Sequence, residues 1–187
     1  KSRVMGRSPH ESATIIINEL KLPLTVDELL DQIHEEFTIA LKDVQLMPGA
    51  ERLVRHLYAS GIPMAIATGS NSHQYFSKIA KFDHFFSKSN FFRHYVLAGD
   101  DPHVKRGKPF PDVFIEAMNR FEPNLKPQNV LVFEDSPLGI EAALAADMPC
   151  VWVPDPRTDT SGHNATIVLK SLEDFKPELF GLPPFES

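Results

Sequence analysis

Residues 129–146 read Asn-Val-Leu-Val-Phe-Glu-Asp-Ser-Pro-Leu-Gly-Ile-Glu-Ala-Ala-Leu-Ala-Ala. The short apolar, β-branched run from Val130 to Phe133 has the pattern of a strand buried on both faces. It stops at two adjacent carboxylates, Glu134 and Asp135, which therefore lie at the strand's carboxyl end. Ser136 follows as a helix N-cap, Pro137 fits the first helical position, and the alanine-rich continuation is a strong helix former. Strand, acidic pair and helix in succession make a site geometry. Open parallel sheets bind ligands beyond the carboxyl ends of their strands, and two hard oxygen donors there suit Mg²⁺ better than zinc or copper. Taken alone, such a pair also serves to cap or solvate a loop.

The chain around this stretch has 187 residues, of which 42% are apolar, enough for one moderately large core or a core with a small accessory lobe. A net charge of -6, with no stretch dense in Lys and Arg, argues against nucleic acid or an anionic membrane as partner and leaves a small molecule. The lone Cys150 excludes an internal disulfide framework, and no paired Cys/His spacing suggests zinc; a reducing, cytoplasmic compartment is expected. No apolar run is long enough to span a bilayer and no leader-like segment opens the sequence. Lys1 stands where an initiator Met would, so the sequence is expected to begin partway through a longer chain.

Toward the amino end, Pro9 to Leu22 carries apolar residues at helical spacing and Pro23 ends it. Thr25 and Glu28 make a capping box ahead of a second amphipathic helix that runs through Leu41. Two helices with no strand between them predict a small helical lobe over residues 1–45. Before them, Val4-Met5-Gly6-Arg7-Ser8 reads as a loop with a glycine and a cation, which as a motif is an ordinary turn.

From Met47 onward, strands alternate with helices. Pro48 to Ala59 is helical with Gly61 closing it, and Pro63 to Ala67 follows as a strand. Thr68-Gly69-Ser70-Asn71 then leads into a helix from Ser72 to Ala80. A hydroxyl, a glycine and exposed amides at a helix start can cradle phosphate, although turns use the same residues. Tyr95 to Ala98 is a further strand. In Gly107-Lys108-Pro109-Phe110-Pro111-Asp112, the prolines stiffen the mount of Lys108, and Asp112 is expected to cap the helix Val113 to Phe121. Cys150 to Val153 reads as a strand, Ala165 to Leu169 as another apolar piece, and Ser171 to Phe175 as a short helix.

Thr68 after one strand, Lys108 before a helix, and Glu134-Asp135 after another strand occur in an order that resembles motifs two, three and four of the haloacid dehalogenase-like hydrolases. The resemblance covers nearly the whole chain. Within the family it is nearest the pseudouridine 5'-phosphatase branch, on Leu46-Met47-Pro48-Gly49, Gly99-Asp100-Asp101-Pro102, Gly107-Lys108-Pro109, Phe133-Glu134-Asp135 and the tail from Ser171 to Pro183. It implies an α/β fold, a Rossmann-like parallel-sheet core over 46–187, with a partial helical cap over 1–45. It also implies a Mg²⁺-dependent phosphomonoester hydrolase, acting as a monomer on a nucleotide-like sugar phosphate such as pseudouridine 5'-phosphate. By the same resemblance Thr68 and Lys108 are catalytic. Thr68, Gly69, Ser70, Asn71 and Lys108 hold phosphate, Glu134 and Asp135 hold Mg²⁺, and Gly6 and Arg7 face the substrate from the cap. A phosphomutase of the same superfamily, or a non-catalytic truncated product that acts by binding, are the alternatives.

One departure stands out. The family's first motif, a strand ending in Asp-x-Asp that supplies nucleophile and general acid, has no match here. The expectation is therefore an N-terminally truncated, catalytically dead chain whose core lacks its first, central strand. The strands ending at Thr68 and at Glu134 each lose a neighbour, which predicts either an open slot between them or a collapsed site, and an unstable fragment.

Overall fold

The computed structural model describes residues 4, 9–41, 43–86, 91–121 and 124–186. Helices α1 (Pro9–Leu20) and α2 (Val26–Ala40) pack against each other. The start of α2 is the predicted capping box: Glu28 N–H donates to Thr25 Oγ1 at 3.2 Å and Thr25 N–H to Glu28 Oε2 at 2.8 Å. No helix among the described residues is long and apolar enough to cross a membrane.

The remaining helices are α3 (Ala50–Ala59), α4 (Ser72–Ile79), α5 (Asp83–Phe86), α6 (Asp112–Asn119) and α7 (Pro137–Ala145). Among the described residues, five strands pair in parallel, as alternation with helices requires, but they form two sheets. β1 (Ala65–Thr68) lies beside β2 (His94–Leu97), with Thr68 opposite Leu97. β3 (Val132–Glu134), β4 (Cys150–Trp152) and β5 (Ile167–Val168) form the second sheet in that order, with Glu134 opposite Trp152. β3 starts two residues later than its apolar run because Val130 N–H closes a 3₁₀ turn onto Pro127 O, at 3.0 Å. The ladder bond to Pro149 O then begins at Val132 N–H, at 2.9 Å.

Among the described residues, β1 and β3 are not joined by a ladder. Between them runs an apolar slot of about 490 Å³, walled by Pro63 to Ala67 on one side and Asn129 to Phe133 on the other, with Leu53, Phe85 and Phe114 along it. Of the two outcomes expected for a sheet without its central strand, the slot is the one found.

What holds the halves together is helical. α6 packs on β1, on β2 and on α7, and its buried Val113, Phe114 and Ala117 share one core with Ile140, Ala142 and Ala143 of α7 and with Trp152. The Trp152 indole is fully buried and donates Nε1–H to the carbonyl of Asp135 at 3.0 Å, which satisfies its one polar atom and fixes the backbone next to the acidic pair. On the other face, α3 begins at Gly49, whose φ of +81° is open to glycine and strained for other residues. A side chain there would also meet the backbone of Glu173 at 2.5 Å, in the short 3₁₀ helix Leu172–Asp174 that stands where a helical turn was expected.

Candidate phosphate and metal site

Thr68 ends β1 and Glu134 ends β3, so the two lie at the carboxyl mouth of the slot, where parallel sheets present ligands. Thr68, Gly69, Ser70, Lys108, Glu134 and Asp135 all line one open cavity of about 900 Å³ at this mouth. Six residues singled out in three separate parts of the sequence are thus brought together.

Lys108 comes from the loop before α6. Its ammonium pairs with Glu134 Oε1 and lies 4.8 Å from the centroid of the Phe114 ring, and the two charged side chains are only 10% and 7% exposed. A pair so far out of water is oriented by its partners: removing either one strands a buried charge, at about 3 to 5 kcal/mol. Glu134 is held in turn. Its Oε2 accepts from Ser136 Oγ at 3.1 Å and from Ser136 N–H at 3.4 Å, while Ser136 Oγ accepts from Gly139 N–H at 3.0 Å as the cap of α7. Gly139 is required for this arrangement, since a Cβ there would stand 2.0 Å from the Glu134 carboxyl carbon.

On the opposite wall, Ser70 is 8% exposed, its N–H donates to Thr68 Oγ1 at 3.2 Å, and its Oγ accepts from Lys78 Nζ at 2.9 Å. Desolvation holds the Lys78 ammonium below the ordinary lysine pKa. Asn71 has a different role from the one expected of it. Its side chain accepts from Gln74 N–H at 2.9 Å and its own N–H donates to Gln74 Oε1 at 3.2 Å, a capping box that starts α4, and it does not line the cavity. Gln74 and Lys78 line it instead. Sequence reading missed both, although Ser70, Gln74 and Lys78 recur every fourth position, the spacing of one helix face.

Asp112 also departs from expectation. Pro111 occupies the N-cap of α6, and the Asp112 carboxylate takes Arg106 Nη2 at 2.8 Å and Arg106 N–H at 3.1 Å. Those hydrogen bonds from Arg106 hold its pKa below the usual carboxylate value, and they tie the Lys108 loop to the helix. Gly6 and Arg7 lie outside the described residues.

Two hard carboxylates with room beside them match Mg²⁺, which binds through one or two carboxylates and keeps several waters. Of the pair, Asp135 lines the cavity, and both oxygens of Glu134 are engaged by Lys108 and Ser136.

The family model for haloacid dehalogenase-like hydrolase matches residues 10–147. A Drosophila melanogaster protein, "Probable pseudouridine-5'-phosphatase", is 44% identical over 186 residues, covering 99% of this chain and 79% of its own length. The (DL)-glycerol-3-phosphatase 2 of Arabidopsis thaliana is 43% identical over 190 residues, covering 100% of this chain and 78% of its own. Among solved structures, CbbY from Rhodobacter sphaeroides, in complex with xylulose-1,5-bisphosphate, superposes with a TM-score of 0.72 at 20% identity, over 90% of this chain and 75% of that one, which speaks to the fold. Strand ends, a mounted lysine and an acidic pair converge on one cavity, and the matched relatives along the whole chain are phosphatases: the chain belongs to the haloacid dehalogenase-like hydrolase family.

Proposed function

We propose that these 187 residues carry the phosphoryl-binding half of a Mg²⁺-dependent phosphatase of nucleotide-like sugar phosphates, with pseudouridine 5'-phosphate the foremost candidate. The observation that carries this reading is the Lys108–Glu134 pair, buried at the mouth between the ends of β1 and β3 and sharing a cavity with Thr68, Gly69 and Ser70. Lys108, oriented by Glu134, neutralises charge on the transferring phosphoryl group. Thr68, Gly69 and Ser70 hold phosphoryl oxygens from the other wall. Asp135, with Glu134 beside it, would hold Mg²⁺, which when bound neutralises further charge on those oxygens.

The sequence has no Asp-x-Asp, so the attacking carboxylate must come from a strand outside residues 1–187, and the slot between β1 and β3 is where an extended strand can seat. Attack of that carboxylate on phosphorus breaks the ester bond, the second Asp of the same absent motif gives the leaving alcohol its proton and then takes one from water, and that water cleaves the acyl phosphate to release phosphate and restore the carboxylate. Residues 1–45 are the cap over this cavity, which Pro9 of α1 lines, and Gly6 and Arg7 read the leaving group. The two relatives, by name a pseudouridine-5'-phosphatase and a glycerol-3-phosphatase, support a small phosphorylated polyol as substrate class.

The test is binding without turnover. Calorimetry should show inorganic phosphate binding to the chain with Mg²⁺ present, weakened about tenfold or more by Lys108→Ala or Thr68→Val, the scale of losing one bond to a charged group. Pseudouridine 5'-phosphate should bind more tightly than glycerol 3-phosphate. p-Nitrophenyl phosphate should not be hydrolysed, and Mg²⁺-dependent hydrolysis that disappears in Lys108→Ala would show that the chain holds its own nucleophile.

A further inference from the structure

Lys78 takes no part in the Asn71–Gln74 capping box that starts α4, yet its ammonium reaches the anion wall of the cavity. It rises from the last turn of α4 and donates to Ser70 Oγ at 2.9 Å. Ser70 is buried and lines the cavity, and its own N–H is turned to Thr68 Oγ1 at 3.2 Å, which leaves its hydroxyl as its other donor. A serine hydroxyl carries one proton and two acceptor lone pairs. With an ammonium on a lone pair, the proton is left to point away from Lys78, and a neighbouring cation polarises it into a better donor. Lys108 brings positive charge from the opposite wall, where Glu134 anchors it. Both lysines thus line the one cavity, Lys78 through Ser70 and Lys108 through Glu134.

We propose that Lys78 is a positioning residue of the anion site: it acts through Ser70, committing the Ser70 hydroxyl to donate to a bound phosphoryl oxygen. This rests on the cavity being the phosphoryl site. A merely structural role, tying α4 to the loop after β1, predicts a change in stability and no special link between Lys78 and Ser70 in ligand binding.

The experiment is a calorimetric titration of the chain with inorganic phosphate and Mg²⁺, across Lys78→Met, Lys78→Arg, Ser70→Ala, the Ser70→Ala/Lys78→Met double variant and Lys108→Ala. Lys78→Met and Ser70→Ala should each weaken binding about tenfold. The double variant should be little weaker than either single one, because the two act as a unit, and Lys78→Arg should recover most of the affinity. The thermal midpoint of Lys78→Met should stay near the parent's. Binding by Lys78→Met within about twofold of the parent, while Lys108→Ala loses it, overturns the role of Lys78 and leaves the phosphoryl site standing; so does a double variant whose two losses simply multiply. If the parent does not bind phosphate, or Lys108→Ala binds it unchanged, the phosphoryl reading falls and this inference with it.

Discussion

At Gly139 a single methyl group separates helix stability from site geometry. Alanine is a better helix former than glycine by about 1 kcal/mol, and Gly139 sits inside α7, so Gly139→Ala gains on the helix itself. The new Cβ, however, would fall 2.0 Å from the Glu134 carboxyl carbon. The cheapest relief is rotation of that flexible carboxylate, which breaks its bonds to Ser136 and Lys108. Gly139→Ala is thus expected to bind phosphate about tenfold or more weakly, since Lys108 loses its anchor, and to melt several degrees below the parent, because breaking the buried pair costs more than the helix gains. Thermal denaturation followed beside calorimetry checks both halves; unchanged phosphate affinity would mean that Glu134 does not set the position of Lys108.

The elements show which parts of the fold were legible in the sequence. Local signals survived: the Thr25–Glu28 box, the Ser136 cap and the apolar runs of β1 and β3 all stand within about two residues of where periodicity puts them. What failed was choice among partners. Asp112 looks like a cap in sequence, but Arg106, six positions back, offers it a forked donor that competes with the helix amides. Asn71 looks like a phosphate ligand, and helix initiation claims it. Lys78 gave no motif at all, because its role depends on the loop after β1 folding back onto α4. The quoted Pro48-Gly49 stretch also gains a reason only in three dimensions: α3 can meet the 3₁₀ helix Leu172–Asp174 because Gly49 has no side chain. Gly49→Ala combines a left-handed backbone with a collision against main chain, which cannot rotate aside. It should cost about 1 to 3 kcal/mol and lower the thermal midpoint by several degrees. A midpoint equal to the parent's would show that α3 and the tail can part at little cost.

For the molecule as a whole, the slot means that two half-sheets are held in one body by helices, α6 on one face and α3 on the other. Its walls are apolar, and among the described residues the strand edges along it have no ladder partner on that side. Empty volume also has a mechanical meaning. A native state with an apolar-lined gap of about 490 Å³ between its sheets packs less densely than the same chain unfolded in water, so compression favours unfolding. Its volume change on unfolding should lie at or beyond the large end of the usual range of about -20 to -100 mL/mol. Trp152, fully buried, reports the transition by fluorescence under hydrostatic load. Ala65→Ile, which thickens one wall of the slot, should raise the pressure of half-unfolding. An unaltered midpoint would mean that water already fills the gap and that the slot stores no volume for compression to release.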